Sequence, residues 1–97
     1  MSRNNYTGKH VDTALDRTQA DTPTERFILS IYARHAGKDD LLAWPGQNTI
    51  ARRVGVSERQ VSKLVGRLVK RGELELVRRG KEGKSTNVFR VAILADK

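Results

Sequence analysis

The sequence predicts an α+β fold that is mostly α, in which a three-helix core is followed by a C-terminal β-hairpin. Apolar residues recur with helical period in three segments, around residues 27–32, 50–54 and 61–68. After Gly72 the apolar residues alternate with polar ones, which is the pattern of half-buried strands. A chain of 97 residues without cysteine is expected to form one small domain that has no disulfide framework.

The first strongly punctuated helix is expected to begin at Thr22. Thr22 is suited to cap the helix, Pro23 to occupy its first position and Glu25 to return the reciprocal capping bond. Gly37 is expected to end it. The apolar stripe predicted to face the core consists of Phe27, Ile28, Ile31 and Tyr32.

The segment from Gln47 to Gly72 predicts two helices joined by a tight turn. Gly55 stands where the first helix must end in a residue that tolerates positive φ, and Ser57 with Gln60 forms a capping box for the second. The residues predicted to be buried are Ile50, Ala51 and Val54 in the first helix and Val61, Leu64, Val65 and Leu68 in the second.

Short strands are predicted on both sides of this helix pair. Asp39 and Asp40 are typical of a turn, and the four residues 41–44 form a small strand before Pro45. Leu74 and Leu76 are expected on the buried face of a later strand, which leaves Glu73, Glu75 and Val77 on the other face. A basic loop over residues 78–85 then leads to a returning strand that contains Phe89.

The spacing of Ala51, Gly55 and Val61, preceded by Trp44-Pro45, resembles the winged helix-turn-helix DNA-binding domains of plasmid and phage replication initiators and bacterial transcriptional regulators. The resemblance covers roughly residues 23–93 and implies a hairpin wing after the second helix of the pair. Many of these domains have serine where this chain has Gly46, so a capping or phosphate-binding hydroxyl is not expected there.

The positive charge is concentrated in the second half of the chain. Net charge is +8, with six basic and six acidic residues in 1–45 and thirteen basic and five acidic residues in 46–97. Such segregation favours a polyanion as partner, and double-stranded DNA fits best. A membrane surface is less suitable because the second half offers only Phe89 as a large aromatic residue, and no apolar run is long enough to span a bilayer.

The helix from Ser57 to Arg71 is predicted to enter the major groove with the face opposite its apolar stripe. Its predicted base readers are Arg59, Gln60, Ser62 and Lys63. Contacts with the DNA backbone are predicted for Gln47, Asn48, Thr49, Ser57, Arg67, Lys70 and Arg71. The predicted wing contacts are Arg78, Arg79, Lys81, Lys84 and Ser85.

Residues 1–20 are predicted to form a flexible N-terminal arm, and residues 21–97 the DNA-binding domain. Within the arm, the segment Val11 to Leu15 is expected either to form a turn of helix or to contact a second copy of the chain. The end near Ile93-Leu94 is another candidate for such a contact. A homodimer or an array on repeated sites is expected because one recognition helix reads few base pairs.

The predicted function is sequence-specific binding of double-stranded DNA in the cytoplasm, on the nucleoid, in plasmid or phage replication initiation or maintenance. The alternatives are a transcriptional regulator, such as a repressor, and a winged helix that binds a protein partner. No enzyme, cofactor or small-molecule ligand is expected, because the sequence shows neither a nucleophile paired with a general base nor a phosphate-binding loop. No metal site is expected either, since His10 and His35 lie far apart in the sequence.

Overall fold

The computed structural model describes residues 4–80 and 87–95. In this part of the chain the predicted α+β, mostly α fold is confirmed, and a fourth helix is added at the N-terminus. The helices are α1 (Asn4–Arg17), α2 (Pro23–His35), α3 (Gln47–Val54) and α4 (Glu58–Lys70). The strands are β1 (Leu42–Ala43), β2 (Glu75–Arg78) and β3 (Val88–Arg90), and a 3-10 turn follows at Ala92–Leu94.

The three strands form one antiparallel sheet in the order β1-β3-β2. Phe89 at its centre is paired with Ala43 on one side and Leu76 on the other. The predicted hairpin is therefore present, and the small strand predicted before Pro45 extends it. A bulge between Leu76 and Arg78 disrupts the ladder next to the loop, where such irregularities commonly bend a strand.

The core lies between the helices and the inner face of the sheet. The Tyr32 ring packs edge-to-face on Phe89, with centroids 5.4 Å apart and planes at 80°. The prediction that Phe27 faces the core is wrong, because its side chain is 46% exposed and Leu29 is buried instead. The buried arc of α2 is centred between Ile28 and Leu29, and Phe27 shares the opposite side with Pro23, four residues earlier.

The structure departs from the predicted flexible arm, since α1 occupies most of residues 1–20 and packs against α2. Ala14 is fully buried, and Val11 packs against the core. The Arg17 guanidinium donates to the Ile93 carbonyl over 3.0 Å, and α1 contacts the 3-10 turn. The two segments considered as contacts with a second copy therefore lie against each other within one chain.

The end of α2 also differs from the prediction, which placed it at Gly37. The helix ends at His35, and Ala36 follows in extended conformation. Gly37 then pairs with the next segment, donating to the Leu42 carbonyl over 3.0 Å. Gly37 is not in the left-handed conformation of a helix cap, and a Cβ there would collide with the Asp40 carboxylate, which would have to move to make room.

The predicted turn at Asp39 and Asp40 is confirmed. The Asp40 carboxylate accepts from the Leu42 amide over 3.0 Å, which closes the turn before β1.

Candidate nucleic-acid interface

The turn between α3 and α4 has the predicted glycine and serine caps, but among the described residues the Gln60 side chain gives no hydrogen bond back to the Ser57 amide, so the predicted capping box is only half formed. Gly55 lies in the left-handed region at φ 86°, and its amide donates to the Ala51 carbonyl over 2.8 Å. The Ser57 hydroxyl accepts from the Gln60 amide over 3.1 Å, so Ser57 caps α4. The C-cap of α3 and the N-cap of α4 thus place the start of α4 directly after the end of α3.

The two faces of α4 are sharply different. Val61, Leu64, Val65 and Leu68 are buried, as predicted. The four predicted base readers Arg59, Gln60, Ser62 and Lys63 are all exposed. Arg59, Lys63, Gly66 and Lys70 recur at spacings of four, three and four, so they follow one line along the outer surface of the helix.

The start of α3 lies beside this outer surface. The Ser62 hydroxyl donates to the Gln47 side-chain oxygen over 3.2 Å, which brings a predicted base reader next to a predicted backbone contact. Asn48 is exposed, and Thr49 is partly exposed. Gly46 is the N-cap of α3 and gives no side-chain hydrogen bond, so the first amides of this helix are not capped by a hydroxyl.

The other end of α4 is tied to α2 by ion pairs. Arg67 Nη1 lies 3.2 Å from Glu25 Oε2, and Arg71 donates to Glu25 Oε1. Glu25 is buried. The reciprocal capping role predicted for this carboxylate is wrong, because the side chain turns away from the helix end to meet two cations. Thr22 nevertheless caps α2, accepting from the Glu25 amide over 3.2 Å.

Glu25 is held in its charged form. Burial by itself raises the pKa of this carboxyl, but hydrogen bonds from Arg71 and Arg67, together with their positive charges, outweigh it and lower the pKa. The hydrogen bond to Glu25 likewise raises the pKa of Arg71. The buried charge is thus compensated rather than isolated.

A second buried carboxylate, Glu73, extends this network. It accepts from the Thr18 hydroxyl over 2.6 Å and from the Gln19 amide over 2.8 Å, and Arg71 Nε lies 3.3 Å from it. The prediction that Glu73 faces solvent is wrong, because the segment after Gly72 first crosses the residues that join α1 to α2 before β2 begins. Glu73 lies about fifty residues from Thr18 and Gln19 in the sequence, so no local pattern could indicate this contact.

Only part of the predicted wing lies in the described residues. Arg78 and Arg79 are exposed where β2 ends, and the Gly80 amide donates to the Asn87 side-chain oxygen over 2.7 Å. Lys81, Lys84 and Ser85 lie outside the described residues.

Two further cations on α3 were not among the predicted contacts, and one of them, Arg52, lines the same surface groove as Asn48 and Ser57. Arg52 and Arg53, in the last turn of α3, are exposed. Burial and then the positive charges of Arg53 and Arg34 lower the pKa of His35, so this imidazole is disfavoured as a cation. The sequence predicts that both arginines lie on α3, but helical period alone does not indicate which exposed cations of a helix contact a ligand.

Comparison with known proteins identifies the family. No curated protein and no solved structure matches this chain. Within the described residues no helix has the length and apolar character needed to cross a membrane. The profile of the family described as "Helix-turn-helix domain" matches residues 22–73, from the cap of α2 to Glu73. This match covers more than half of the chain, so the protein belongs to the helix-turn-helix domain family, which supports DNA as its partner.

Proposed function

We propose that the protein binds double-stranded DNA with sequence preference by laying α4 in the major groove. The observation that carries this proposal is the exposed polar face of α4, with Arg59 and Lys63 on one line opposite a buried apolar stripe. A major groove admits one helix and displays a distinct hydrogen-bonding pattern for each base pair. A helix whose outer face is polar and basic along its first two turns is suited to read that pattern.

Each predicted base reader has donors or acceptors suited to base edges. Arg59 and Lys63 pair with guanine O6 and N7, and Gln60 or Ser62 pairs with adenine or with a nearby phosphate. The Gln60 backbone amide is used by Ser57, but its side chain is exposed. Ser62 donates to Gln47, and its oxygen can still accept a hydrogen bond.

Phosphate contacts on both sides of the groove complete the proposal. The first amides of α3 with Gln47, Asn48 and Thr49 offer donors at the positive end of a helix. Lys70 continues the outer line of α4, and Arg78 and Arg79 are exposed where β2 leads into the predicted wing. We include Ser57, Lys81, Lys84 and Ser85 in the proposal on the resemblance alone.

The biological use that we propose is replication initiation or maintenance of a plasmid or phage, without catalysis. Support comes from the order of a capped helix, Trp44-Pro45, the helix pair and a basic hairpin, which resembles replication initiators. Transcriptional regulation uses the same domain and stays the alternative. Either use requires more base pairs than one helix reads, so we propose two or more copies on repeated sites.

The decisive experiment is selection of preferred sites from a random duplex library, followed by affinity measurements on selected, random and single-stranded DNA across a salt series. We expect an enriched motif and duplex affinity that falls steeply with salt. The repeat symmetry of the motif then distinguishes a dimer from an array. Weak binding without an enriched motif would overturn the proposal and favour a protein partner for the same helix face.

A further inference from the structure

Arg67, in the last turn of α4, and Arg71, the residue that caps the C-terminus of this helix, share one buried carboxylate, Glu25 of α2. The three side chains differ greatly in exposure: Glu25 is 2% exposed, Arg71 28% and Arg67 50%. One carboxylate thus holds one arginine that is largely covered and another that still faces solvent.

The two guanidinium groups differ in the number of carboxylates that they bind. Arg71 binds Glu25 through Nη2 and Glu73 through Nε, so two separate carboxylates hold it. Among the residues that the structure describes, Arg67 binds only Glu25, through Nη1. A guanidinium has five N–H donors in a rigid plane, so Arg67 keeps donors for another acceptor while one corner of its plane is fixed.

The position of Arg67 points to what that acceptor is. Arg67 follows the predicted base reader Lys63 by four residues, one turn further along α4. If α4 lies in the major groove, a half-exposed guanidinium at this point is close to the DNA backbone, and planar guanidinium groups bind phosphate oxygens well.

We infer that Glu25 is a positioning residue for DNA binding: it fixes the Arg67 guanidinium so that its remaining N–H groups meet a DNA phosphate. Arg71, predicted from the sequence as a backbone contact, instead belongs to the fold. The inference rests on the proposed function, because it requires α4 to lie on DNA. Its physical basis is that an anchored arginine loses less side-chain freedom on binding than a mobile one.

The test is whether Glu25→Gln weakens or strengthens binding to DNA. This substitution keeps the shape of the side chain and removes its charge. Removing a carboxylate near a DNA-binding face makes the protein more positive, so a purely electrostatic role predicts tighter binding. A positioning role predicts weaker binding, by about 3- to 10-fold, the range expected for one lost hydrogen-bonding contact.

The control is Glu75→Gln, which removes the same charge from an exposed carboxylate that pairs with Arg90, not with Arg67. Each full-length variant is titrated with the selected duplex over a salt series, and circular dichroism verifies that it is folded. We expect Glu75→Gln to bind as tightly as wild type or more tightly. Equal or tighter binding by folded Glu25→Gln would overturn the inference.

Two arginine variants keep the inference testable if Glu25→Gln does not fold. Arg67→Ala should reduce the slope of log affinity against log salt by about 1, as expected for one lost phosphate contact. Arg71→Ala, measured under conditions where it is folded, should leave the slope unchanged. A wild-type slope for Arg67→Ala overturns the positioning role alone, whereas wild-type protein that does not bind duplex overturns the proposed function.

Discussion

The two halves of α4 carry similar charges that are used in different ways. In the first half, Arg59 and Lys63 are exposed, and neither takes part in an ion pair with any described residue. In the second half, in which we include the C-cap residue Arg71, Arg67 and Arg71 are bound to a buried carboxylate. Net charge therefore overstates the number of cations available to DNA, because some of the positive charge of this helix neutralises the interior of the domain.

The largest expected difference between the two halves is in stability. Arg71→Ala leaves Glu25 and Glu73 each without one partner, and it should lower the free energy of unfolding by about 1–3 kcal/mol. Arg59→Ala removes an exposed side chain and should change it by less than about 0.5 kcal/mol. Urea unfolding followed by far-UV circular dichroism measures both, and similar losses in the two variants would contradict the division of α4.

The next effect is on sequence preference and should be confined to the first half. Arg59→Ala should weaken binding to the selected duplex by about 1–3 kcal/mol and binding to random duplex much less. Arg34→Ala is the matched control, since Arg34 follows Glu25 by two and a half turns and so lies on the side of α2 away from α4. Identical losses on both duplexes for Arg59→Ala would remove its base-reading role.

A smaller effect should appear as a pH dependence of stability that originates in the second half. The folded-state pKa of Glu25 lies below its ordinary value of 4.5, so the unfolded chain takes up the proton first as pH falls. The stability that this carboxylate contributes is present above about pH 4.5 and is lost as pH falls through the lowered pKa.

Unfolding of wild type and Glu25→Gln should therefore be compared from pH 7 downwards. The variant should lose less stability than wild type over the acidic part of the range, because its amide does not titrate. Parallel curves for the two proteins would show that Glu25 does not couple protonation to folding.

The first half of α4 was predictable because its determinants are local. Gly55 and Ser57 lie within three residues of each other, and the turn they form follows from left-handed backbone at glycine and a hydroxyl cap. The second half was not predictable in the same way. Its arginines are fixed by Glu25, which is 42 and 46 residues away, and helical period cannot indicate which carboxylate will be buried beside them.

The N-terminal segment illustrates the same limit. Few apolar residues mark α1, and its place in the fold depends on Ala14 packing in the core and on Thr18 and Gln19 binding Glu73. Tertiary contacts thus override a weak local pattern. The family profile begins at residue 22, so it gives no information about α1 either.

The smallest predicted effect tests the boundary between the two halves, at Gly66. An interior helix glycine costs up to about 1 kcal/mol relative to alanine, and a Cβ at Gly66 would meet no atom within 4 Å. Gly66→Ala should therefore stabilise the folded protein. Because Gly66 lies on the outer line between Lys63 and Lys70, the added methyl group should at the same time weaken duplex binding if the helix backbone approaches DNA closely there.

Gly8→Ala is the matched control for this substitution. Gly8 is also an exposed glycine within a helix, α1, and a Cβ there likewise would meet no atom within 4 Å. Both variants should gain stability in urea unfolding, but only Gly66→Ala should lose affinity for the selected duplex. Retained affinity in Gly66→Ala would mean that DNA contacts the long side chains on either side of this position, so that close approach of the backbone is not needed for binding.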